Sequence, residues 1–276
     1  MTGIRSKKFN HVFIYLFLIA FIVLTLLPYV WLILTSFKTR LDAFSMPPKW
    51  IFSPILSNYK EAFLDKGFLL NLRNSIIVTA FSTFFSLIIG LPSAYAFSRF
   101  PIKGDRILLY YLLGTRFTPV VALALPLYLI MSKVGLLDTF VGIVIAHTTF
   151  NLPFVVWMMR GFFDMVPRQI DEAAKVDGCS WPRIFLRIAI PLSRSGLAAT
   201  AVFCAVNSWN EFFMALILTG RGTATMPVAV PGLLLPQGTL GGQIAAVGTV
   251  ITIPVLIFAI LVQKNMVKGM TMGAVK

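Results

Sequence analysis

Apolar positions in this chain come in long uninterrupted runs, not in the period-2 alternation of a strand or the 3.6-residue stripe of a surface helix. A helix needs roughly 20 mostly apolar residues to cross a bilayer. Five runs meet that length, at 12–37, 74–98, 107–132, 139–159 and 195–219, the third containing Arg116 and the fifth Glu211. A sixth, 244–263, closes an uncharged stretch that begins at residue 222. The first half of that stretch is broken by Gly222, Pro227, Pro231, Gly232, Pro236, Gly238, Gly241 and Gly242. Such a density of breakers predicts an ordered loop or a re-entrant segment. Pro254 is placed to kink the sixth helix. The predicted architecture is all-α, a polytopic membrane protein with six transmembrane helices.

Composition narrows the picture. A length of 276 residues would suit one or two soluble domains, but 58% of residues are hydrophobic and only 12% charged. Mean hydropathy is +0.85. A soluble fold with so few charges would expose apolar area on a scale that drives aggregation, and disordered chains are polar. The net charge of +14 is scattered in short groups between the apolar runs. That distribution argues against the single basic face of a nucleic-acid binder and for the cationic loops that orient helices in a bilayer. With the N-terminus in the cytoplasm, fifteen of the 24 basic residues fall on the cytoplasmic side, which predicts both termini inside. The first span follows Arg5, Lys7 and Lys8, as a signal peptide would. It is too long for that role and lacks an A-x-A site, so it reads as an uncleaved anchor. Cys179 and Cys204 give no disulfide framework. No metal spacing occurs, and His147 reads as a packed or hydrogen-bonded histidine within an apolar run.

Two loops exceed what connection needs. The external one, 38–73, contains the turn Pro47-Pro48-Lys49-Trp50, and Trp50, Phe52, Tyr59 and Phe63 suggest a segment lying at the membrane interface. The cytoplasmic one, 161–194, is the more informative. Pro167 suits the first position of a helix, Asp171 and Glu172 suit its positive end, and Arg168 and Glu172 are spaced to pair. Gly178 is placed for a left-handed cap. Ser180 is placed to cap a second helix that begins near Pro182 and stops around Pro191. The product is a helix-turn-helix elbow outside the membrane. Ile170, Ala174 and Asp177 share one face, and the small residues Ala173 and Ala174 admit close backbone approach. Insertion into a partner's groove and an interfacial helix on the lipid surface both fit this spacing.

The same stretch resembles the signature of permease subunits of binding-protein-dependent ABC importers. That signature reads EAA, three residues, Gly, nine residues, Ile, one residue, Leu-Pro. This chain has Glu172-Ala173-Ala174, Gly178, Ile188 and Ile190-Pro191 at matching spacing, with Ile190 in place of Leu. Cys179 follows the glycine where a small residue is usual, and the proline often found past Leu-Pro is absent. Asn74-Ser75 looks like the family's Asn-Ser pair at the head of the second helix. Trp209-Asn210-Glu211-Phe212 looks like the segment of its carbohydrate branch, and residues 268–276 look like the tail of the maltose-type second permease subunit.

The resemblance implies a bacterial cytoplasmic (inner) membrane protein with a short cytoplasmic N-terminus (1–11), a transmembrane domain (12–266) and a cytoplasmic tail (267–276). It implies a transport subunit for a sugar or sugar derivative, paired with a second homologous permease, two ATPase subunits and an external solute-binding protein. The elbow would be the coupling helix, with Glu172 facing a basic residue of the ATPase and Ala173, Ala174 and Gly178 as close-packing positions. Neither cofactor nor catalysis is expected in this chain, because it has no G-x-x-x-x-G-K-[ST] phosphate loop; ATP and Mg would act in the ATPase subunits. Glu211, Asn210 and Arg116 are pore or gating candidates, since a charge inside a membrane helix marks function by default. Glu211 reads more readily as packing or gating than as substrate contact, and Arg116 either pairs with it or lines the path. Pro236 and Gln237 are candidates for the tip of a periplasmic scoop that enters the binding protein. Two other readings remain: a permease for a non-sugar solute such as a phosphorylated polyol or an amino acid, and an ion-coupled secondary transporter. The latter requires intramembrane acids along a path, and Glu211 alone qualifies.

Overall fold

The computed structural model describes residues 3–235 and 238–272, with side chains described from 14 to 233, 240 to 261 and at 263. The chain separates into two compact units. One holds the N-terminal helix, the loop that follows it and residues 230–253; the other holds residues 69–229 and the remainder of the last helix.

In the first unit, α1 (Gly3–Ser36) leads into the loop carrying the short helices α2 (Arg40–Ala43) and α3 (Ser57–Lys60), the latter continued by a π turn over Glu61–Asp65. The loop's aromatic residues pack on the end of α1. Trp50 meets Trp31 edge-on at 5.0 Å, Tyr59 meets Phe37 at 5.3 Å, and the Tyr59 and Ser36 hydroxyls lie 2.8 Å apart. Lys38 is buried, with its Nζ 3.8 Å from the Trp31 ring centre and 5.2 Å from that of Phe52. This cation–π box supplies what a desolvated ammonium otherwise lacks. Within the stretch Ile14–Ser36, the most apolar 18-residue window has no residue buried by the rest of the chain, so lipid or another protein must cover it.

In the second unit, α4 (Phe68–Arg99) begins well before the expected start at 74, and Asn74-Ser75 lies inside it rather than at its head. Both residues hold the outer loop. Asn74 Nδ2 donates to the Gly222 and Ala224 carbonyls, each at 3.0 Å, and Ser75 Oγ accepts the Met226 N–H at 2.8 Å. The expected third span is broken into α5 (Asp105–Phe117) and α6 (Val120–Lys133), which bend by 94°. The cause is Pro119, because the residue before a proline is driven out of the α region; Thr118 is extended, with ψ 125°. Next come α7 (Phe140–Asp164), the elbow helix α8 (Arg168–Val176) and the short helices α9 (Trp181–Ile184) and α10 (Ile190–Leu192), which flank a π turn over Phe185–Ala189. An 82° bend leads into α11 (Arg194–Asn210). The expected fifth span, too, is broken: it ends at Asn210 and resumes after Glu211-Phe212 as α12 (Phe213–Leu218).

The breaker-rich stretch forms α13 (Met226–Ala229), a 3-10 turn over Val230–Leu233 and a two-residue antiparallel pairing, Leu234 with Thr239 and Leu235 with Gly238. The last helix, α14 (Gly241–Met272), contains Pro254. The proposed scoop tip, Pro236-Gln237, and the last four residues of the tail lie outside the described residues.

α7 is the axis of the second unit. Its C-terminal half joins a core of Leu91, Ala94, Tyr95, Val155, Met159, Phe163, Ala189 and Cys204; its N-terminal half joins another of Val78, Met131, Ile143, Ala146, Ala215 and Leu218. Helices in lipid gain little from apolar burial against each other, so close approach at small residues does the packing. A Cβ on Gly196 of α11 would lie 2.1 Å from Phe162 Cγ of α7, and one on Gly90 of α4 would lie 2.5 Å from Val155 Cγ1. Gly196→Ala should therefore destabilise the protein by about 1–3 kcal/mol through overpacking, read as a lower Tm of the detergent-solubilised chain.

Outside the membrane, Asp138 Oδ1 accepts the Thr223 hydroxyl at 2.6 Å and the N–H groups of Gly220 and Thr223 at 2.8 and 3.2 Å. The Thr223 hydroxyl first and these backbone donors next hold the Asp138 carboxyl below the usual carboxylate range, against its partial burial. A depressed folded-state pKa stabilises the fold above the ordinary carboxylate value and loses that contribution as pH falls through the lowered one. Asp138→Asn should thus lower the Tm at neutral pH, and the gap from the native chain should close in acid.

Candidate functional site

Three features of the second unit bear on function: a polar cavity beside α7, the elbow, and the loop latch formed by Asn74, Ser75 and Asp138.

The cavity has a volume of about 210 Å³ and is lined by Arg116, Val120, His147, Phe150, Asn151, Asn207, Ser208, Glu211 and Met214. Arg116 and Val120 flank the break between α5 and α6, and Glu211 and Met214 flank the break between α11 and α12. Both interruptions therefore open on one polar space, the circumstance in which non-helical backbone is tolerated at membrane depth.

Glu211 is extended, with ψ 125°, and turns its carboxylate onto the start of α12. Its Oε1 accepts the Met214 N–H at 2.8 Å and its Oε2 the Ala215 N–H at 3.0 Å. These are backbone donors that the helix start leaves unsatisfied. His147 Nε2 lies 3.3 Å from Glu211 Oε2. His147 is 2% exposed, and neither ring nitrogen has a hydrogen-bond partner among the described residues. Behind it runs a buried layer of hydrogen bonds. Asn151 Nδ2 donates to Ser208 Oγ at 2.8 Å, Ser82 Oγ donates to Ser208 Oγ at 2.9 Å, and Ser86 Oγ donates to the Ser82 carbonyl at 2.6 Å.

Of the sequence candidates, Glu211 and Arg116 meet in this cavity. Their direct pairing is not formed: Glu211 contacts His147 instead, and the Arg116 guanidinium carbon sits 5.1 Å from the Phe154 ring centre. Asn210 is not a lining residue; it is exposed, and its amide donates back to the Val206 carbonyl at 3.0 Å. Sequence reasoning missed His147, Asn151, Asn207 and Ser208 as members of one site. The available signal was polar residues at i, i+4 spacing inside apolar spans, His147 with Asn151 and Asn207 with Glu211.

The elbow is built as its sequence predicts at its C-terminus. Gly178 has φ +80°, the Cys179 N–H reaches the Ala174 carbonyl at 2.9 Å and the Gly178 N–H that of Lys175 at 3.0 Å, a Schellman cap. Ser180 occupies the cap position of α9 but makes no side-chain capping bond. The helix that follows runs past Pro191 through its π turn to Leu192. Arg168 does not pair with Glu172; its Nη2 donates to the Ser98 carbonyl at 2.8 Å. Glu172, Ala173 and Gly178 are exposed, whereas Ala174 is buried within the chain, so its packing is internal. A Cβ on Gly178 would meet nothing within 4 Å, so its glycine serves the left-handed turn.

The elbow's attachment was not read from sequence. Asp171 pairs with Arg99 at the end of α4, both side chains 3% exposed. Arg99 Nη1 donates to Ser98 Oγ and Nη2 to the Val166 carbonyl, each at 2.9 Å, and Ser98 Oγ donates to Asp164 Oδ1 at 2.6 Å. Trp181 contacts both Lys175, whose Nζ lies 4.3 Å from its ring centre, and Phe100, which meets it edge-on at 4.9 Å. α8 is thereby fixed to the C-terminal ends of α4 and α7.

Broken membrane helices around a polar layer, with a rigid helical elbow latched beneath them, define a transport subunit. The chain belongs to the family of binding-protein-dependent transport system inner membrane components, which it matches over residues 86–272. It is 38% identical over 251 residues to the "Probable ABC transporter permease protein y4oR" of Sinorhizobium fredii, covering 91% of this chain and 90% of that one. It is 31% identical over 279 residues to the trehalose/maltose transport system permease protein MalG of Thermococcus litoralis, covering 99% of each. Among solved structures it resembles a chain of a bacterial ABC transporter involved in the import of the acidic polysaccharide alginate, with TM-score 0.79 and 25% identity over 94% of this chain and 97% of that one. The chain is thus a multi-pass inner-membrane ABC permease.

Breaking a buried ion pair by removing one partner strands a charge, at a cost of about 3–5 kcal/mol. Asp171→Ala should lower the Tm accordingly, and Asp171→Leu combined with Arg99→Met should recover most of the loss, measured on the same purified chain.

Proposed function

We propose that this chain carries a sugar or sugar derivative into the cytoplasm as one of two homologous permease subunits. Both its termini are cytoplasmic, a solute-binding protein delivers the solute from outside, and two ATPase subunits bind ATP and Mg below. Of the three similar proteins, one is a trehalose/maltose transport system permease and another belongs to an importer of the polysaccharide alginate, which supports the carbohydrate class. A cavity lined by amide, hydroxyl and charged groups instead of a cluster of intramembrane acids speaks against ion-coupled transport.

The observation that carries the coupling part of this reading is the contrast within α8. Asp171 and Ala174 are buried in the chain while Glu172 and Ala173 on the same helix are exposed. One face is bolted to the membrane helices and the other is left for a partner. A rigid element of this kind passes motion of a docked ATPase to α4 and α7 as a unit. Glu172 is the charge offered to a basic residue of the ATPase, and Gly178 sets the turn that ends the helix.

The test is reconstitution of the chain with its permease partner, ATPase and binding protein in proteoliposomes. ATP inside should drive accumulation of at least one sugar from a panel of neutral and acidic mono- and oligosaccharides. Glu172→Lys should reduce that uptake at least tenfold while the chain still inserts at native levels. Native uptake in that variant would sink the coupling role.

A further inference from the structure

Every charged group in the cavity can be accounted for except one. The lining contains two formally charged residues, Arg116 and Glu211, and one titratable histidine. The Glu211 carboxylate is engaged by the Met214 and Ala215 N–H groups and by the His147 contact. Arg116 is close to an aromatic ring but has no carboxylate partner among the described residues. It sits two residues before the Thr118 break, exposed on this chain and within a segment apolar enough to cross a membrane, where a charged side chain marks function by default. Two further polar groups at this space have capacity left over. The Asn207 amide makes no hydrogen bond among the described residues, and His147 turns Nε2 to Glu211 while its buried Nδ1 has no hydrogen-bond partner among them.

The geometry points to this cavity as a binding site for a sugar ring carrying an oxyanion, a carboxylate or a phosphate, with Arg116 as its charge partner. This deepens the reading of the chain as a sugar permease and rests on it. A guanidinium presents a planar fork that matches carboxylate and phosphate oxygens two at a time. Asn207 and His147 are the neighbouring groups able to meet ring hydroxyls. The volume, about 210 Å³, falls below the roughly 300–1,000 Å³ of pockets that take drug-sized ligands. It therefore suits one terminal ring of a longer chain and not a whole oligosaccharide. Glu211 opposes the anion less than a free acid would, because the Met214 and Ala215 N–H groups turn its carboxylate onto the start of α12. The site selects by charge, and the second permease is left to supply the wall that this subunit lacks.

The experiment uses the complete importer, this chain with its permease partner and ATPase, in lipid nanodiscs. Binding of methyl β-glucuronide, glucose 6-phosphate and methyl β-glucoside is measured by calorimetry. At least one of the two anionic probes should bind ten times more tightly than the neutral glucoside, and which of them does so separates carboxylate from phosphate. Arg116→Gln should bring the anionic and neutral affinities to within twofold, while Arg116→Lys should keep a reduced preference. Asn207→Asp leaves the guanidinium in place and adds a competing carboxylate; it should weaken binding of the anionic probes at least tenfold more than binding of the neutral one. Equal binding of all three probes by the native importer, or a preference that survives Arg116→Gln, overturns the proposal. In proteoliposomes supplied with ATP and the binding protein, uptake of neutral sugars alone overturns the anionic site but leaves sugar import standing. Uptake of no sugar of either charge overturns both.

Discussion

Backbone polar groups at membrane depth must find partners inside the protein, and this constraint organises the second unit. Two of its membrane segments are interrupted, at Thr118-Pro119 and at Glu211-Phe212. In lipid each interruption would strand N–H and carbonyl groups at several kcal/mol apiece. Here both face the same polar space, and at the second the Glu211 side chain supplies what the helix no longer does. The acid is thus a structural cap and part of the cavity wall at once. Removing it would expose backbone donors as well as delete a charge.

The position of that space follows from α7. Apolar residues near 143–146 and 155–163 of this helix pack into two separate cores, and His147 and Asn151 occupy the gap between them. The buried bonds from Asn151 through Ser208 to Ser82 tie α7, α11 and α4 together at that level. In lipid, where apolar contact between helices brings little, such bonds and the glycine contacts at Gly90 and Gly196 set the helix arrangement. At the C-terminal end of α4, Arg99 pairs with Asp171 and holds the elbow against the same helices. Cavity and elbow are thus two ends of one packed body, the physical requirement for force applied below to be felt above.

Much of this was legible in the sequence because lipid imposes a simple rule on it. Apolar runs of about twenty residues with at most one charge mark the spans, and a polar interlude with Pro167, Glu172 and Gly178 at defined offsets marks the elbow, including its left-handed end. Each of these rests on local chemistry: transfer of apolar residues into lipid, a fixed proline φ, the freedom of glycine at φ > 0. Glu211 and Arg116 stood out for the same reason, as charges where charge is costly.

What the sequence could not determine is where those charges turn. Hydropathy cannot see a helix break that keeps its residues apolar, so 107–132 and 195–219 each read as one helix although each is two. Nor can spacing along one chain segment reveal a partner that lies 64 or more residues away. Glu211 meets His147, Asp171 meets Arg99, and Asn74 meets Gly222 and Ala224 only because separate helices bring them within bonding distance. The sequence by itself determined that this chain crosses a membrane and carries a helical elbow between its apolar runs. Tertiary structure alone decided which polar groups are satisfied and which, like the Arg116 guanidinium, are left facing the cavity, because satisfaction depends on distance in space and not along the chain.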